Sequence, residues 1–310
     1  MQSVCCSQGD RKHEGSGGIV GDNLGHQGAL VGLEDRNEDW NLQNTLRRRR
    51  EAYHTKIEQS AAPTDDTGEG GSIHDLHFEV APEVREALGV DPQPRYSLLE
   101  RFLRPGSAFP GTLEGVVAAD GGDLAAAPAH MQAPRFSGTG ALEDDRFRTV
   151  VEGVYESPEA GRQPVEVIKE VTLAPTGASF DVNWTVKNIG AEILRCRFAP
   201  EWNLAFYDGQ VFTDPTGDET PPVLDAACFD ARRDLSVLVP LHRAALRWEL
   251  SDDAEIWSLP VRTATQGEDG FHLTYQGHAL WFVRDLEIAP GQTQSFRISL
   301  RIEHGIQEDG

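Results

Sequence analysis

The run ASFDVNWTVKNI (178 to 189) constrains the fold more than any other stretch of the chain. Phe180, Val182, Trp184 and Val186 alternate with Asp181, Asn183, Thr185 and Lys187. A helix would scatter those large side chains around its circumference, whereas a strand puts them all on one face. The segment therefore predicts a strand with one face in a core and the other toward water. VVEGVYES (150 to 157) and VEVIKEVTL (165 to 173) carry the same β-branched and aromatic bias, and APTG predicts a hairpin turn into the alternating run. Downstream, LRCRFAPEWNLAF, LRWELSD, EIWSLPVRT, FHLTYQG, HALWFVRDLEI and QSFRISLRIEH read as further strands, with APGQT closing the last hairpin. Many short strands, 31 glycines and 18 prolines punctuating them, and few amphipathic helices predict antiparallel sheets stacked as a large sandwich from about residue 95 onward. No parallel α/β pattern is visible.

The flanks read differently. Residues 1 to 27 are rich in Gly, Ser and charge without periodicity and predict disorder, as do residues 305 to 310; the folded domain is expected over 28 to 304. Good helix formers in RRRREAYHTKI predict a short helix or turn ending near Ile57. AAPTDDTGEGG (61 to 71) predicts a flexible loop, and Pro82 to Leu88 a short helix that Gly89 ends.

Composition narrows the function. Fifty acidic against 28 basic residues give a net charge of -22, which repels phosphate backbones and anionic lipid, so nucleic acid and membranes are not expected partners. No apolar run has the length of a signal peptide core or a membrane span, which predicts a soluble, cytoplasmic protein. Cys5, Cys6, Cys196 and Cys228 form no CxxC pair, so neither a zinc site nor a disulfide scaffold is expected. GxSxG, HExxH, a phosphate-cradling loop and a dinucleotide fingerprint do not occur; no catalytic residue, metal or cofactor is assigned.

Four groups of residues remain as candidates. His74 and His77 in SIHDLHFE would share a face only on a helix, and read as ordinary loop or strand histidines. Arg47 to Arg50 could grip an anion, but in so acidic a chain they read first as partners in local ion pairs. Glu201, Trp202 and Asn203 in FAPEWNLAF offer a carboxylate, an indole and an amide that together could meet a sugar's hydroxyls and its apolar ring face. The alternative is a buried tryptophan in a hydrogen-bonded strand. Of Trp40, Trp248, Trp257 and Trp281, one is expected on the surface.

Five blocks stand in order along the chain: GALVGLEDRNEDWNLQNTLRRRREAYHTKI (28 to 57), SIHD (72 to 75), RYSLLERFL (95 to 103), FAPEWNLAF (198 to 206) and IWSLPVRTATQGEDGFHLTYQG (256 to 277). Together they resemble the C-terminal β-sandwich of glycoside hydrolase family 57, the α-amylase and 4-α-glucanotransferase family. Glu100 and Arg101 stand where the family usually has Asp and His, so no role of that His is carried over. The resemblance implies a galactose mutarotase-like sandwich. It also implies that the reacting carboxylates belong to an N-terminal barrel absent from this chain, which would make the chain a detached C-terminal portion. The expected function is then a non-catalytic, carbohydrate-associated domain that binds an α-glucan or oligosaccharide or supports a separate family 57 catalytic barrel. Glu201, Trp202 and Asn203 are the first candidate contacts, and His54 and His74 the second. The alternatives are a stand-alone mutarotase or epimerase, in which a histidine converges with Glu201 as acid and base, and a structural remnant of a truncated gene.

Overall fold

A computed structural model describes residues 5–7, 19–22, 28–35, 38–60, 80–120, 129–132, 146–174, 179–207, 211–213, 225–268 and 270–305. The alternating run forms β9 (Ser179–Asn188), and its neighbours form β7 (Arg146–Ser157) and β8 (Gly161–Leu173). β15 (Thr293–His304) pairs with the other edge of β9, and all these pairings are antiparallel. β6 (Ala129–Gln132) closes the far edge against β7.

The architecture turns on β13 (Ala244–Gly267), a 24-residue strand that changes partner along its length. Residues 244–250 pair with β15, whereas residues 255–267 pair with β14 (Gly270–Ile288). β14 pairs in turn with β10 (Leu194–Leu204), and β10 with β5 (Leu99–Leu103). β12 (Ala227–Val239) follows β13 through the change, with register shifts between Phe229 and Asp234, and carries β11 (Val211–Thr213) at its edge. One hydrogen-bonded sheet thus folds over into two layers at a strand that belongs to both.

The layers meet through aromatic side chains on strands that share no ladder. Trp202 of β10 stacks on Phe180 of β9 with ring centres 5.7 Å apart, and meets Trp248 of β13 edge-on at 6.2 Å. Trp184 and Phe198 form a second crossing at 6.4 Å. Even-numbered residues of β10 (Cys196, Phe198, Trp202, Leu204) enter this main core, while Ala199 belongs to a second cluster on the outer face. Removing one such aromatic ring would cost about 3–5 kcal/mol.

The mainly antiparallel sandwich expected from sequence is found, with differences in detail. LRWELSD and EIWSLPVRT are one strand, as are FHLTYQG and HALWFVRDLEI, because strands that turn from one layer to the other need no break. β12 was not expected, nor was α3 (Leu113–Ala119), whose N-terminus is capped by Thr112 Oγ1 accepting the Gly115 N–H at 3.1 Å. The two helices expected upstream are α1 (His54–Gln59) and α2 (Pro82–Glu86). The segment read as disordered contains β1 (Cys5–Ser7) and β2 (Ile19–Asp22), paired in parallel; β3 (Glu34–Asp35) and β4 (Trp40–Asn41) complete this small sheet. The other residues of 1 to 27 apart from these two strands, the loop at 61 to 71, residues 175 to 177 of the APTG turn and residues 306 to 310 lie outside the described residues.

Lys169, one of four lysines, is fully buried. Its ammonium donates to Glu100 Oε1 at 2.7 Å and to the Leu98 carbonyl at 2.6 Å, and Glu100 Oε1 also accepts the Trp184 indole N–H at 3.1 Å. Leu98 has φ of 62°, a left-handed conformation that costs a leucine about 1–2 kcal/mol, so Lys169 anchors a strained residue at the start of β5. A buried pair gains little over an apolar substitute, but a widowed charge is costly. Lys169→Met is accordingly expected to lower unfolding free energy by about 3–5 kcal/mol in denaturant titrations. Lys169→Met with Glu100→Leu should lose clearly less than either single change; equal or greater loss would show that the pair does more than satisfy itself.

Candidate functional site

The outer face of the second layer is covered by the segments around the three helices. Leu113 and Val116 of α3 pack on Leu103, Ala199, Trp257, Leu259, Ala279 and Trp281. Ile57 of α1 and Val84 of α2 pack with Ala264, Phe271 and Leu273 near the tip of the β13–β14 hairpin. Odd-numbered residues of β10 point into this interface, and two of them are Glu201 and Asn203, which are 3% and 0% exposed.

Burial of charge in that interface is balanced by a continuous relay. Glu201 Oε2 accepts from Arg101 Nε at 2.7 Å, and Arg101 Nη1 also reaches Asp120 at 3.2 Å. Glu201 Oε1 accepts from Asn203 Nδ2 at 2.8 Å, and Asn203 Oδ1 accepts from Arg95 Nη1 at 3.2 Å. Arg95 grips Asp91 through two nitrogens, and Asp91 also accepts from the backbone N–H and guanidinium of Arg48 at 2.8–3.1 Å. Arg48 ends the relay on Glu114 at 2.8 Å. Burial acts to raise the Asp91 carboxyl, but the charges and hydrogen bonds of Arg95 and Arg48 outweigh it and hold the group below its ordinary 3.8.

Two sequence expectations need correction here. Trp202 is fully buried and lies on the opposite face of β10 from Glu201 and Asn203, because successive strand residues point opposite ways. The three therefore cannot meet one sugar. The aromatic neighbour of Glu201 is Trp281, its cross-strand partner on β14. The cavity beside Glu201, Arg101 and Trp281 holds about 20 Å³, room for a single water molecule and not for a sugar ring. Finally, Trp40, Trp248, Trp257 and Trp281 are all buried, at 3% exposure or less, so the one surface tryptophan expected is not there.

Two carboxylates 5–5.5 Å apart could in principle serve retaining glycoside cleavage. Glu201 and Asp120 share the Arg101 guanidinium, which fills the space a sugar would need. Of the arginine run, Arg48 joins the relay and Arg50 pairs with Glu58, in line with the ion-pair reading, whereas Arg47 donates to the Asp91 and Pro92 backbone carbonyls. Arg49 is exposed and has no ion pair among the described residues.

His54 lies elsewhere. It is 4% exposed and lines a separate cavity of about 340 Å³, with Arg49, Tyr53, Thr263 and Gln276 among its walls. Its Nδ1 accepts the Glu51 N–H at 3.4 Å, which leaves Nε2 as the protonated nitrogen of a neutral ring. Burial, and then the charge of Arg50, push its pKa down. Gln276 reaches this cavity through a bulge: Val261 pairs with Gly277 and Arg262 with Tyr275, so Gln276 has no ladder partner and is re-aimed. Gly277, at φ 143°, permits it, since a Cβ there would stand 2.5 Å from the Leu204 carbonyl. His54 and Glu201 thus line different cavities, so an acid and base for sugar ring opening do not converge on this pair. His74 and His77 fall outside the described residues.

Cys228, Asp230 and Glu255 bring ligand atoms within 4.8 Å of one another. The set does not fit a metal: burial, with the neighbouring Asp230, pushes the Cys228 thiol up to about 12, and Glu255 is occupied by Arg197 at 2.6 Å and Trp257 at 3.0 Å. Among the described residues no helix is long and apolar enough to cross a membrane.

The two-layer sandwich with a helical cover places the chain in the galactose mutarotase-like fold. A proposed aldose 1-epimerase from Escherichia coli K12 superposes with a TM-score of 0.52 at 13% identity, over 90% of this chain and 94% of that one. The family described as alpha-amylase/4-alpha-glucanotransferase, C-terminal, matches residues 23–298, and the chain belongs to it. The crystal structure of 4-alpha-glucanotransferase from Thermococcus litoralis matches with a TM-score of 0.66 at 20% identity, over 90% of this chain and 35% of that one. The 4-alpha-glucanotransferase of Thermococcus kodakarensis is 27% identical over 253 residues, which are 81% of this chain and 33% of the relative. The chain spans about a third of the length of the curated relatives it matches.

The fold is acid-sensitive in two windows. His278, fully buried and bonded to Tyr275 Oη at 2.8 Å, has its pKa pushed from 6.5 down to about 3 by burial and by Arg262. The unfolded chain therefore takes up this proton first, and stability falls as pH drops from 6.5 toward 3, with a limiting slope of about 1.4 kcal/mol per pH unit. Asp91 adds a loss only below its unfolded value of 3.8. Urea midpoints measured at successive pH values should show a shallower decline between pH 6.5 and 4 in His278→Gln than in the parent; identical slopes would contradict this assignment.

Proposed function

We propose that the chain is the non-catalytic, glucan-associated portion of an α-amylase or 4-α-glucanotransferase system, working with a catalytic region carried on separate sequence. The observation that carries this is the state of Glu201. In the family-matched strand it is the acid best placed for chemistry, yet it is buried, bonded on both oxygens to Arg101 and Asn203, and faces a space of about 20 Å³. An acid that must protonate or attack a sugar needs reach and room, and this one has neither. The curated relatives are named 4-alpha-glucanotransferase and alpha-amylase, and the two-thirds of their length that this chain does not match is where the reading places the reacting groups.

The acidic, membrane-averse composition supports a role on neutral polysaccharide. A stand-alone mutarotase finds less support, because His54 and Glu201 line different cavities. Co-sedimentation with insoluble amylose is expected to deplete the protein from solution, to be reversed by soluble maltooligosaccharide, and to fail with cellulose. Equal retention on cellulose, or none on amylose, would refute glucan association.

A further inference from the structure

The cleft of about 340 Å³ between the entry to α1, the exit of α2 and the β13–β14 hairpin touches the relay only through Arg48. We infer that it is a subsite for one glucose unit of an α-glucan, held by His54, Arg49 and Gln276 against the Tyr53 ring. The inference rests on the glucan-associated reading and gives it a location.

Each wall supplies a different element of sugar recognition. His54 is nearly all buried, its Nδ1 is committed to the Glu51 backbone, and its Nε2–H has no hydrogen-bond acceptor among the described residues. Opening onto the cleft and free of a protein acceptor, that N–H is available to a ligand hydroxyl. Gln276 donates its amide to Thr263 Oγ1 at 3.2 Å, which fixes the side chain and leaves its carbonyl oxygen as an acceptor. Arg49 is the one member of the run from Arg47 to Arg50 with no acceptor among the described residues, and it stands at the same cleft. Tyr53 is held by its hydroxyl on the Ala264 carbonyl at 2.9 Å, so its ring is a fixed apolar wall. Donors, an acceptor and an aromatic face in a cleft near the lower end of the range of about 300–1,000 Å³ suit one sugar unit.

Charge favours a neutral sugar over a phosphorylated one. Arg47 and Arg48 line the cleft but are spent on backbone carbonyls, Asp91 and Glu114. The remaining charge of Arg49 is offset by Glu51 on the same wall.

The test uses the whole chain, labelled with ¹⁵N-histidine and titrated with maltotriose and, separately, glucose 6-phosphate. Maltotriose should shift the His54 ring nitrogens. Arg49→Ala and Gln276→Ala, both at the cleft rim, should keep the parent's thermal midpoint and weaken maltotriose binding about tenfold each. Amylose retention with silent His54 signals and unaltered affinity in both variants would overturn the subsite while leaving glucan association standing. Absence of binding to amylose and maltotriose alike would end both. Tighter binding of glucose 6-phosphate than of maltotriose would overturn the neutral-sugar assignment.

Discussion

A relay of alternating charges, Glu114 to Arg48 to Asp91 to Arg95, through Asn203 to Glu201, Arg101 and Asp120, fastens the helical cover to the outer face of the second layer. Without it that face would be a sheet surface dotted with carboxylates. With it, polar groups from segments up to 108 residues apart are mutually satisfied in a largely buried interface. Such a network is weak evidence for net stability, since charge desolvation offsets much of the attraction. Its effect is to allow one register only: any slip of the cover by one residue would bury widowed charges. Cavities, helices and the exposure of every candidate side chain follow from that register.

The two layers rest on a separate and simpler device. Aromatic rings from β9, β10, β13 and β14 interlock across the sandwich, and the long β13 pairs in both layers. This explains how family resemblance persists at 20% to 27% identity: the pattern needs large apolar residues at alternate positions more than it needs particular ones.

Much of this was legible before any coordinates. Alternation in 178 to 189 announced β9, and the same rule carried through Phe198, Trp202 and Leu204 would have put Trp202 in the core and Glu201 opposite. It was the proximity of three sugar-friendly residue types in sequence that obscured the two-residue period. What periodicity could not reveal was pairing across distance. Arg101 lies 100 residues from Glu201, and Arg48 lies 43 from Asp91, so the same carboxylates read as candidate chemistry until their partners are seen. α3 was missed because its seven residues sit among strands and its one clear local signal is the Thr112 cap. The His54 cleft was half visible: the histidine was a candidate, but Gln276 reaches it only through a bulge at Gly277, and bulges leave no reliable mark in a single sequence.

Function in this account is a matter of what the relay leaves free. The acids that could have reacted are consumed in holding the cover, while a histidine, an arginine and a glutamine remain facing a cleft. The most direct measurement is release of new reducing ends or altered chain lengths from amylose by the purified chain, beside Glu201→Gln. The account predicts product at the buffer blank for both proteins. Steady product formation by the parent that vanishes in Glu201→Gln would contradict it, since Glu201 would then be reacting with sugar instead of bracing the fold.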